Sequence, residues 1–387
     1  MSTPDYDIAI IGGGPVGVAL ARALRDSQLS VCVLEARPSN VASNDARALA
    51  ISYGSRLLLQ RLDVWGALRD VSSIHTIHIS QKQSFGRTLL HAKELDVPEL
   101  GYVLPYSVLQ DTLTDKLQQS DITTIYGASV TKLQGSNDHA AINYIQDEEG
   151  HTLQARLAVV ADGGKLLTQQ YPPVVHDYGQ SALITHITCS APQAGIAYER
   201  FTPAGPLALL PFTSGYELVW TAPHKGAQEM LEWDDAKFLY ELHQHFGDRV
   251  GEFLTVGKRT CFPLGLKRAP RQTPMPHTIL LGNAAQTMHP VAGQGFNMGL
   301  RDAWELAQEI LDVTPELIGS EKMLAAYRKQ RRPDREAGIK FTDSLVRLFS
   351  NDLPLLSASR AAALTALDCL PFAKKFVAKR MMFGANG

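Results

Sequence analysis

Cysteine is scarce in this sequence. Its 387 residues include four cysteines, and no two of them form a Cys-x-x-Cys pair. This pattern excludes a small disulfide-stapled scaffold and does not match the ligand spacing of a zinc site. We therefore expect no bound metal, and free thiols in a reducing cytoplasm, at Cys32, Cys189, Cys261 and Cys369.

An excess of charge of one sign is also lacking. The 37 Lys and Arg residues are balanced by 39 Asp and Glu residues, for a net charge of −2. Such a balance supplies no field for holding nucleic acid. With 45% hydrophobic and 20% charged residues, the chain has enough apolar mass for a sizeable core, which excludes disorder. At about 100–200 residues per domain, its length favours two domains.

Long apolar runs are absent as well. Two stretches without Asp, Glu, Lys or Arg cover residues 178–198 and 272–300, but both contain Gly, Pro, His and Gln. A membrane-spanning helix of about 20 residues would not tolerate these in such numbers. Residues 1–7 contain two Asp and no basic residue, which is not typical of a signal peptide. We expect a cytoplasmic protein.

A βαβ unit is predicted at the start of the chain. The apolar residues 8–11 precede a GxGxxG motif, and a second apolar run, 31–34, ends at Glu35. In this motif the first glycine permits a tight turn, the second lets backbone approach a pyrophosphate, and the third allows close helix–strand packing. The helix N-terminus then attracts phosphate, and the acid accepts ribose hydroxyls. The sequence therefore predicts a dinucleotide site with Gly12, Gly14, Gly17 and Glu35.

The rest of the chain predicts a second, interleaved domain. Residues 182–187 and 217–220 alternate as in an antiparallel sheet, and the C-terminal part is helical, with interruptions at Pro333, Pro354 and Pro371. We expect a nucleotide-binding domain from residues 1–72, 101–170 and 276–350, an inserted sheet domain from 73–100 and 171–275, and a helical tail from 351–387.

Two further segments indicate which dinucleotide is bound. Asp162-Gly163 follows the apolar residues 157–160, and residues 281–302 contain Gly282-Asn283 and the glycine-rich run Gly293–Asn297. With residues 47–52, 199–202 and 205–211, these segments resemble the flavoprotein aromatic hydroxylases of the p-hydroxybenzoate hydroxylase type. Within that family the chain is most similar to the ubiquinone-biosynthesis branch, the 2-polyprenyl-6-methoxyphenol hydroxylases.

The resemblance implies a mixed α/β and α+β fold, in which a Rossmann-like FAD-binding domain carries an inserted antiparallel-sheet substrate domain and C-terminal helices. It implies bound FAD and NADH or NADPH as a transient co-substrate. Together with the motifs, it assigns the following residues to the flavin site: Gly12, Gly14, Pro15, Val16, Gly17, Glu35, Ala36, Arg47, Gln110, Val130, Asp162, Gly163, Gly282, Asn283, Pro290, Gly293, Gln294, Gly295, Phe296 and Asn297.

Four of these residues have a specific physical role in the expected site. The helix N-terminus after Gly293 would stabilise the flavin pyrimidine edge, which becomes negative on reduction. Pro290 would cover one face of the ring, and the Arg47 guanidinium suits a phosphate or the flavin edge. Asn283 stands where many relatives carry Asp, so it can form hydrogen bonds there but brings no charge.

The resemblance also implies the reaction. NAD(P)H would reduce the flavin, O₂ would add to form a C4a-hydroperoxide, and the distal oxygen would pass to a polyprenylated methoxyphenol, with water excluded. No second glycine fingerprint follows Gly17, so we expect the nicotinamide to dock without its own Rossmann domain. The ring would lie among Leu207, Leu209, Pro211 and Trp220.

No catalytic acid or base can be identified from the sequence. His186, Arg200 and His289 are candidates by location, as are Tyr178 and Gln180. Structural hydrogen bonding is the alternative role for each.

The pattern of the C-terminal residues indicates candidate binding partners. Basic residues at 374, 375, 379 and 380 alternate with apolar ones, so the tail could rest on an anionic membrane or pack on the protein or another subunit. Other ubiquinone-biosynthesis enzymes and a second copy of the chain are further candidate partners. Two alternative functions stay open: hydroxylation of another ring position or another small phenol, and a non-catalytic flavin-binding subunit of a biosynthetic assembly.

Overall fold

The computed structural model describes residues 3–39, 41–42, 45, 47–82, 84–289, 293–349 and 354–386. Its strands, in chain order, are β1 (Tyr6–Ile11), β2 (Val31–Glu35), β3 (Ala48–Ser52), β4 (Ser72–Ile74), β5 (Thr76–Gln81), β6 (Arg87–His91), β7 (Gly101–Pro105), β8 (Thr123–Tyr126), β9 (Ser129–Gly135), β10 (Ala140–Gln146), β11 (Glu149–Val160), β12 (Val174–Cys189), β13 (Ile196–Thr202), β14 (Gly205–Phe212), β15 (Gly215–Pro223), β16 (Phe253–Val256), β17 (Thr260–Arg268), β18 (Thr278–Leu280) and β19 (Gln286–Thr287). Its α-helices are α1 (Pro15–Ala23), α2 (Tyr53–Arg61), α3 (Tyr106–Gln118), α4 (His224–Glu232), α5 (Asp235–Phe246), α6 (Gln294–Leu311), α7 (Glu321–Phe349), α8 (Pro354–Cys369) and α9 (Pro371–Phe383).

The first sheet contains the predicted βαβ unit. Its strand order is β8-β2-β1-β11-β10-β9, with β18 beside β11, and the pairs among β8, β2, β1, β11 and β18 are parallel. Alternate residues of β1 enter two different cores, with Ile8 and Ile10 on one face and Ala9 and Ile11 on the other. Burial of both faces explains why this strand is a continuous apolar run.

The second sheet is almost wholly antiparallel. Its order is β19-β17-β12-β15-β14-β13-β5-β6, with β16 beside β12, and only the β13–β5 pair is parallel. One face of its central strands packs against α4 and α5 around Phe238 and Phe246. A short sheet, β3-β7-β4, completes the described strands. The predicted class, a mixed α/β and α+β fold in which a Rossmann-like domain carries an inserted antiparallel-sheet domain and C-terminal helices, is confirmed.

The domain boundaries stay a proposal. The strands of segments 73–100 and 171–275 lie in the antiparallel sheet, and those of the first sheet lie in 1–72, 101–170 and 276–350. One short strand departs from this division, because β19 lies in 276–350 but pairs with β17.

The C-terminal helices differ from expectation at one of three prolines. Pro354 and Pro371 begin α8 and α9, but Pro333 lies inside α7, which continues without a break. A proline removes one backbone hydrogen bond, and here the buried Arg331 side chain fixes the helix on either side. Its guanidinium lies 2.7 Å from both Asp302 Oδ1 and Asp334 Oδ2.

None of the helices in the described ranges combines the length and the apolar character needed to cross a bilayer.

Candidate active site

A single cavity of about 1170 Å³ brings the glycine-rich segments together. Gly14, Asp162, Gly282 and Gly293 all line it, although they lie far apart along the chain. For the first three the reason is topological, because the parallel strands β1, β11 and β18 end at the same edge of the sheet, and Gly293 directly precedes α6. Ligands in such sheets bind outside the carboxyl ends of the strands.

The glycines of the first turn have different roles. Gly12 has a φ of +110°, and a Cβ atom there would lie 2.7 Å from the Ala161 carbonyl oxygen. A Cβ on Gly17 would collide with the Gly12 carbonyl oxygen, whereas one on Gly14 would meet no protein atom within 4 Å. The first and third glycines therefore permit packing, and the second leaves open space at the N-terminus of α1.

Glu35 lies buried beside this turn. Its Oε2 accepts a 2.6 Å hydrogen bond from the Gly13 backbone N–H, and its Oε1 accepts from the backbone N–H and Nε of Arg37 at 2.9 and 2.8 Å. The hydrogen bond to Glu35 raises the pKa of Arg37. The amide of Gln110 donates to Gly13 O at 2.8 Å from outside the cavity lining, so it supports the turn from behind.

The turn after β11 is stabilised by its own aspartate. Asp162 accepts hydrogen bonds from the backbone N–H groups of Gly164, Lys165 and Leu166, at 2.8, 3.1 and 2.6 Å. The neighbouring Gly163, with φ of +78°, faces open space. Asp162 thus shapes the loop, while the backbone beside it faces the cavity.

The segment that begins α6 is fixed by the Asn297 side chain. Its Oδ1 accepts from the Ser52 backbone N–H at 2.9 Å, and its Nδ2 donates to the carbonyl oxygens of Ala50 and Gly293 at 3.0 and 2.7 Å. Gln294 donates to the Met381 carbonyl oxygen at 3.2 Å, which joins this segment to α9. The loop is therefore held from β3 and from the last helix.

The remaining assigned residues fall into three groups. Arg47 lines the cavity while paired with Asp45, and its guanidinium lies 5.7 and 5.3 Å from the ring centres of Tyr106 and Phe262. Gly17 and Gln110 lie behind the lining, and Pro290 lies outside the described residues. The others line the cavity: Gly12, Pro15, Val16, Ala36, Val130, Gly163, Asn283, Gln294, Gly295, Phe296 and Asn297.

The geometry fits a bound dinucleotide. Gly14, Gly163 and Gly295 each leave space that a Cβ would enter without touching protein, and all three line the cavity. The buried Glu35 carboxylate and the N-terminus of α1 supply the expected partners for a ribose and a diphosphate.

None of the four residues expected to line the substrate site lines the cavity. Leu207, Leu209 and Trp220 belong to the core against α4 and α5, and Pro211 shares their face of β14. The cavity is lined instead by the alternate residues Pro206, Ala208, Leu210, Val219 and Thr221. Both faces of these strands are apolar, so periodicity alone cannot tell which one meets the ligand.

The catalytic candidates are mostly outside the cavity lining. Arg200 projects from the opposite face of β13 and donates to the His245 carbonyl oxygen at 2.9 Å and to Ser80 Oγ at 3.3 Å. The structure therefore does not bring Arg200 into the cavity lining. His186 packs edge-on against Phe212, with ring centres 5.8 Å apart, away from the lining.

Tyr178 and Gln180 make structural contacts, whereas His289, the last candidate, lines the cavity. The Tyr178 hydroxyl donates to Asp343 at 3.1 Å, and Gln180 donates to Ala204 O at 2.8 Å. His289 lines the cavity, and burial lowers its pKa to about 4, so its imidazole is neutral near pH 7.

The sequence did not point to two other parts of the lining. Glu199 faces the cavity from β13, where it directly precedes Arg200. Side chains of α7, α8 and α9 line the side of the cavity opposite the sheet, among them Leu345, Phe349, Leu364 and Met381. The alternation of residues 197, 199 and 201 is the signal that could have identified Glu199.

Comparisons with known proteins agree with this architecture. The family model described as FAD binding domain matches residues 5–342. Ubiquinone hydroxylase UbiL of Rhodospirillum rubrum is 32% identical over 391 residues, covering 97% of this chain and 89% of that protein. The 3-demethoxyubiquinol 3-hydroxylase of Escherichia coli is 31% identical over 381 residues, covering 95% and 96%. The p-nitrophenol 4-monooxygenase PnpA of Pseudomonas putida has the same fold, with a TM-score of 0.78 at 16% identity over 100% of both chains.

The fold and the site define a flavoprotein of the aromatic-hydroxylase type. The chain belongs to the FAD binding domain family, since the match covers most of its length. It is an FAD-dependent aromatic-ring monooxygenase, similar to the hydroxylases of ubiquinone biosynthesis.

Proposed function

We propose that this enzyme uses NAD(P)H and O₂ to hydroxylate the ring of a polyprenylated methoxyphenol in ubiquinone biosynthesis. The overall reaction adds one oxygen atom to a ring C–H, reduces the other to water and oxidises NAD(P)H to NAD(P)⁺. The names of the two relatives support the pathway, and the shape of the cavity supports a substrate with a long apolar tail.

The observation that carries the proposal is the continuity of the cavity. Its volume of about 1170 Å³ exceeds the 300–1,000 Å³ typical of a pocket for a single drug-sized ligand. It runs from the glycine turns to an apolar space between the antiparallel sheet and α7–α9, lined there by Ile79, Phe201, Leu345, Leu364, Leu367 and Val377. Such a space suits a prenyl chain, whose burial contributes about 0.8 kcal/mol per CH₂.

We assign the two ends of FAD to different parts of this cavity. Gly14 and the N-terminus of α1 would hold the diphosphate, and Glu35 the adenosine ribose. Gly295 and the N-terminus of α6 would face the flavin ring system. When bound, the flavin would supply the activation of O₂. The surrounding chain orients the ring and excludes water, which would otherwise favour release of peroxide.

NAD(P)H would approach from outside. Arg37, Arg47 and Lys165 line the cavity beside the glycine turns, and Arg37 and Arg47 are partly exposed. Guanidinium groups suit the phosphates of a nicotinamide dinucleotide. We place its transient docking at this opening.

We also propose that α9 rests on an anionic membrane surface. Its outer face exposes Phe372 and Phe376, at 73% and 60%, beside Lys375 and Lys379. Its inner face carries Val377, Ala378, Met381 and Met382 into the cavity lining. Lys374 does not belong to the outer face, because it is buried and paired with Glu94 and Asp368 at 3.0 and 3.4 Å. A helix with these two faces would take an apolar substrate from lipid directly into the cavity.

The experiment is a product analysis with the purified, FAD-loaded protein. Short-tailed prenylated methoxyphenols are incubated with NADH or NADPH in air, and products are identified by mass spectrometry and ring-proton NMR. We expect a product with one added hydroxyl at a single ring position. The position that NMR identifies also distinguishes the proposed reaction from hydroxylation at another position of the ring. NAD(P)H oxidation that yields only peroxide with every phenol would overturn the proposal.

A further inference from the structure

One carboxylic side chain of the antiparallel sheet, that of Glu199, lies in the cavity lining among apolar neighbours. The strand register places Ile79, Ala208 and Val219 in the same row across the sheet as Glu199, and Ala197 and Phe201 two residues away along β13. All of these neighbours are apolar and line the cavity. Within the part of the chain that the structure describes, Glu199 is the only charged side chain that this sheet contributes to the lining.

The Glu199 carboxyl has no protein partner in the described ranges: no side chain or backbone group there donates a hydrogen bond to it or forms an ion pair with it. Burial alone accounts for its pKa, which rises to about 7. The other ionisable groups of the lining do not lie on the cavity face of this sheet: Glu35, Arg37, Arg47, Tyr106, Asp162, Lys165, His289 and Tyr198. Tyr198 belongs to the opposite face of β13, and its hydroxyl donates to Gln193. A buried carboxyl without a partner is costly to the fold, so its position calls for a ligand.

We propose that Glu199 accepts the phenolic proton of the substrate and thereby fixes the ring on the sheet for hydroxylation. This inference rests on the proposed function and names the residue that recognises the phenol. The phenol O–H bond breaks and an O–H bond forms on the Glu199 carboxylate, with no change in oxidation state. The resulting phenolate is more electron-rich than the phenol at the ring carbons ortho and para to its oxygen. These carbons are the ones that react with an electrophilic oxygen.

The surroundings of Glu199 suit a general base. A phenol without activating groups ionises near pH 10, as tyrosine does, and a carboxylate with an ordinary pKa near 4.5 is a weak base toward it. Burial strengthens the Glu199 carboxylate as a base, and a general base works best with a pKa near the working pH. Ala197 and Ala208, both small, leave room above the sheet for the ring.

The first test measures binding without turnover. The Kd values of a short-tailed methoxyphenol and of its O-methyl ether, which has no phenolic proton, are measured with the FAD-loaded enzyme by flavin fluorescence, without NAD(P)H. In the parent enzyme at pH 8 we expect the phenol to bind at least about tenfold more tightly than the ether, since a hydrogen bond to a charged group is lost in the ether. In Glu199→Gln this preference should fall to about threefold or less.

The second test is the pH profile of hydroxylation. Product formation by the parent enzyme should rise with pH through about 7 as Glu199 loses its proton. Glu199→Gln should lose this limb and about 100-fold of the product rate, and Glu199→Asp should recover part of the rate and the limb. A fluorinated phenol that is already ionised at pH 8 should restore the rate of Glu199→Gln toward that of the parent.

Glu217→Gln is the matched control. Glu217 lies in the neighbouring row of the same sheet face, and burial raises its pKa to about 7 as well, but it accepts a hydrogen bond from the Ala48 backbone and does not line the cavity. This variant should keep the phenol preference and the pH limb. FAD content and melting temperature verify that both variants fold.

The outcomes separate the two proposals. A folded Glu199→Gln that retains the phenol preference and the pH limb overturns the role of Glu199, even if the enzyme hydroxylates its substrate. A parent enzyme that makes no hydroxylated product overturns the proposed function, whereas the binding test still decides whether Glu199 recognises the phenol.

Discussion

Gly12 lies so close to Ala161 that a Cβ atom on Gly12 would be 2.7 Å from the Ala161 carbonyl oxygen. The turns that follow β1 and β11 are therefore packed backbone against backbone. Gly14, two residues further on, faces the cavity, and a Cβ atom on it would have no protein atom within 4 Å. The two glycines of this motif therefore have different roles. Gly12 permits close backbone packing, which stabilises the fold, and Gly14 leaves space for a ligand.

This difference predicts unequal effects of the same substitution on stability. Gly12→Ala should lower the free energy of unfolding by about 2–4 kcal/mol, because the new methyl group meets backbone that cannot move away and φ is positive. Gly14→Ala should change it by less than about 1 kcal/mol. Urea unfolding of the FAD-free proteins measures both. Equal losses for the two variants would contradict the assignment.

The buried Glu217 predicts a pH dependence of stability. Burial raises its pKa from an ordinary 4.5 to about 7, so the folded protein keeps this proton over a range in which the unfolded chain has released it. Its contribution to the unfolding free energy therefore falls as pH rises from about 4.5 to about 7, by on the order of 3 kcal/mol, and is constant above.

Glu217→Gln removes this titration and keeps an oxygen acceptor for the Ala48 backbone. The variant should gain stability relative to the parent between pH 5 and pH 8, as measured by urea unfolding at each pH. The titration of His289, which has the opposite sign, is common to both proteins and cancels in the difference. A difference that is the same at both pH values would show that Glu217 titrates normally.

The apolar end of the cavity predicts selectivity for tail length. Leu345→Phe adds volume to the lining contributed by α7 and should lower kcat/KM about tenfold for a long-tailed substrate. A substrate with one prenyl unit should be unaffected. Leu348→Phe, on the same helix but exposed and outside the lining, is the control and should alter neither value. Equal losses for short and long tails would exclude this path for the tail.

The outer face of α9 predicts binding to anionic vesicles. Replacing both Phe372 and Phe376 with Ser should reduce co-sedimentation at least severalfold, and Lys379→Glu should weaken it in a salt-dependent way. Phe85→Ser and Tyr240→Ser, equally exposed elsewhere, should have no effect. Unchanged sedimentation of the double Phe variant would exclude α9 as the membrane contact.

The turns of the site could be predicted because their rules are local. The glycine spacing, the strand before it and the acid at Glu35 predict a βαβ unit, and strands of one parallel sheet end at one edge. Asp162 and Gly282, which follow β11 and β18, therefore reach the same cavity as Gly14. The role of Asn297 as a clamp on Ala50 depends on a contact across 247 positions of sequence, which no local pattern reveals.

The substrate side could not be predicted because both faces of its strands are apolar. Leu207 and Leu209 are as hydrophobic as Leu210, yet the first two pack on α4 and α5 and the third lines the cavity. Only the helices that cover each face decide between them. For the same reason the sequence alone does not favour Glu199 over Arg200, although one residue of register places them on opposite faces of β13.

The central claim, that three glycine turns hold one FAD, is tested most directly by the FAD affinity of glycine-to-alanine variants, measured by fluorescence titration of the apoprotein. Gly14→Ala, Gly163→Ala and Gly295→Ala should each weaken FAD binding by at least about tenfold, because the added methyl enters space assigned to the cofactor. Gly150→Ala and Gly247→Ala are matched controls, since these glycines also face open space but lie outside the cavity, and they should bind FAD as the parent does. Parent-like affinity in the three cavity variants would contradict the claim.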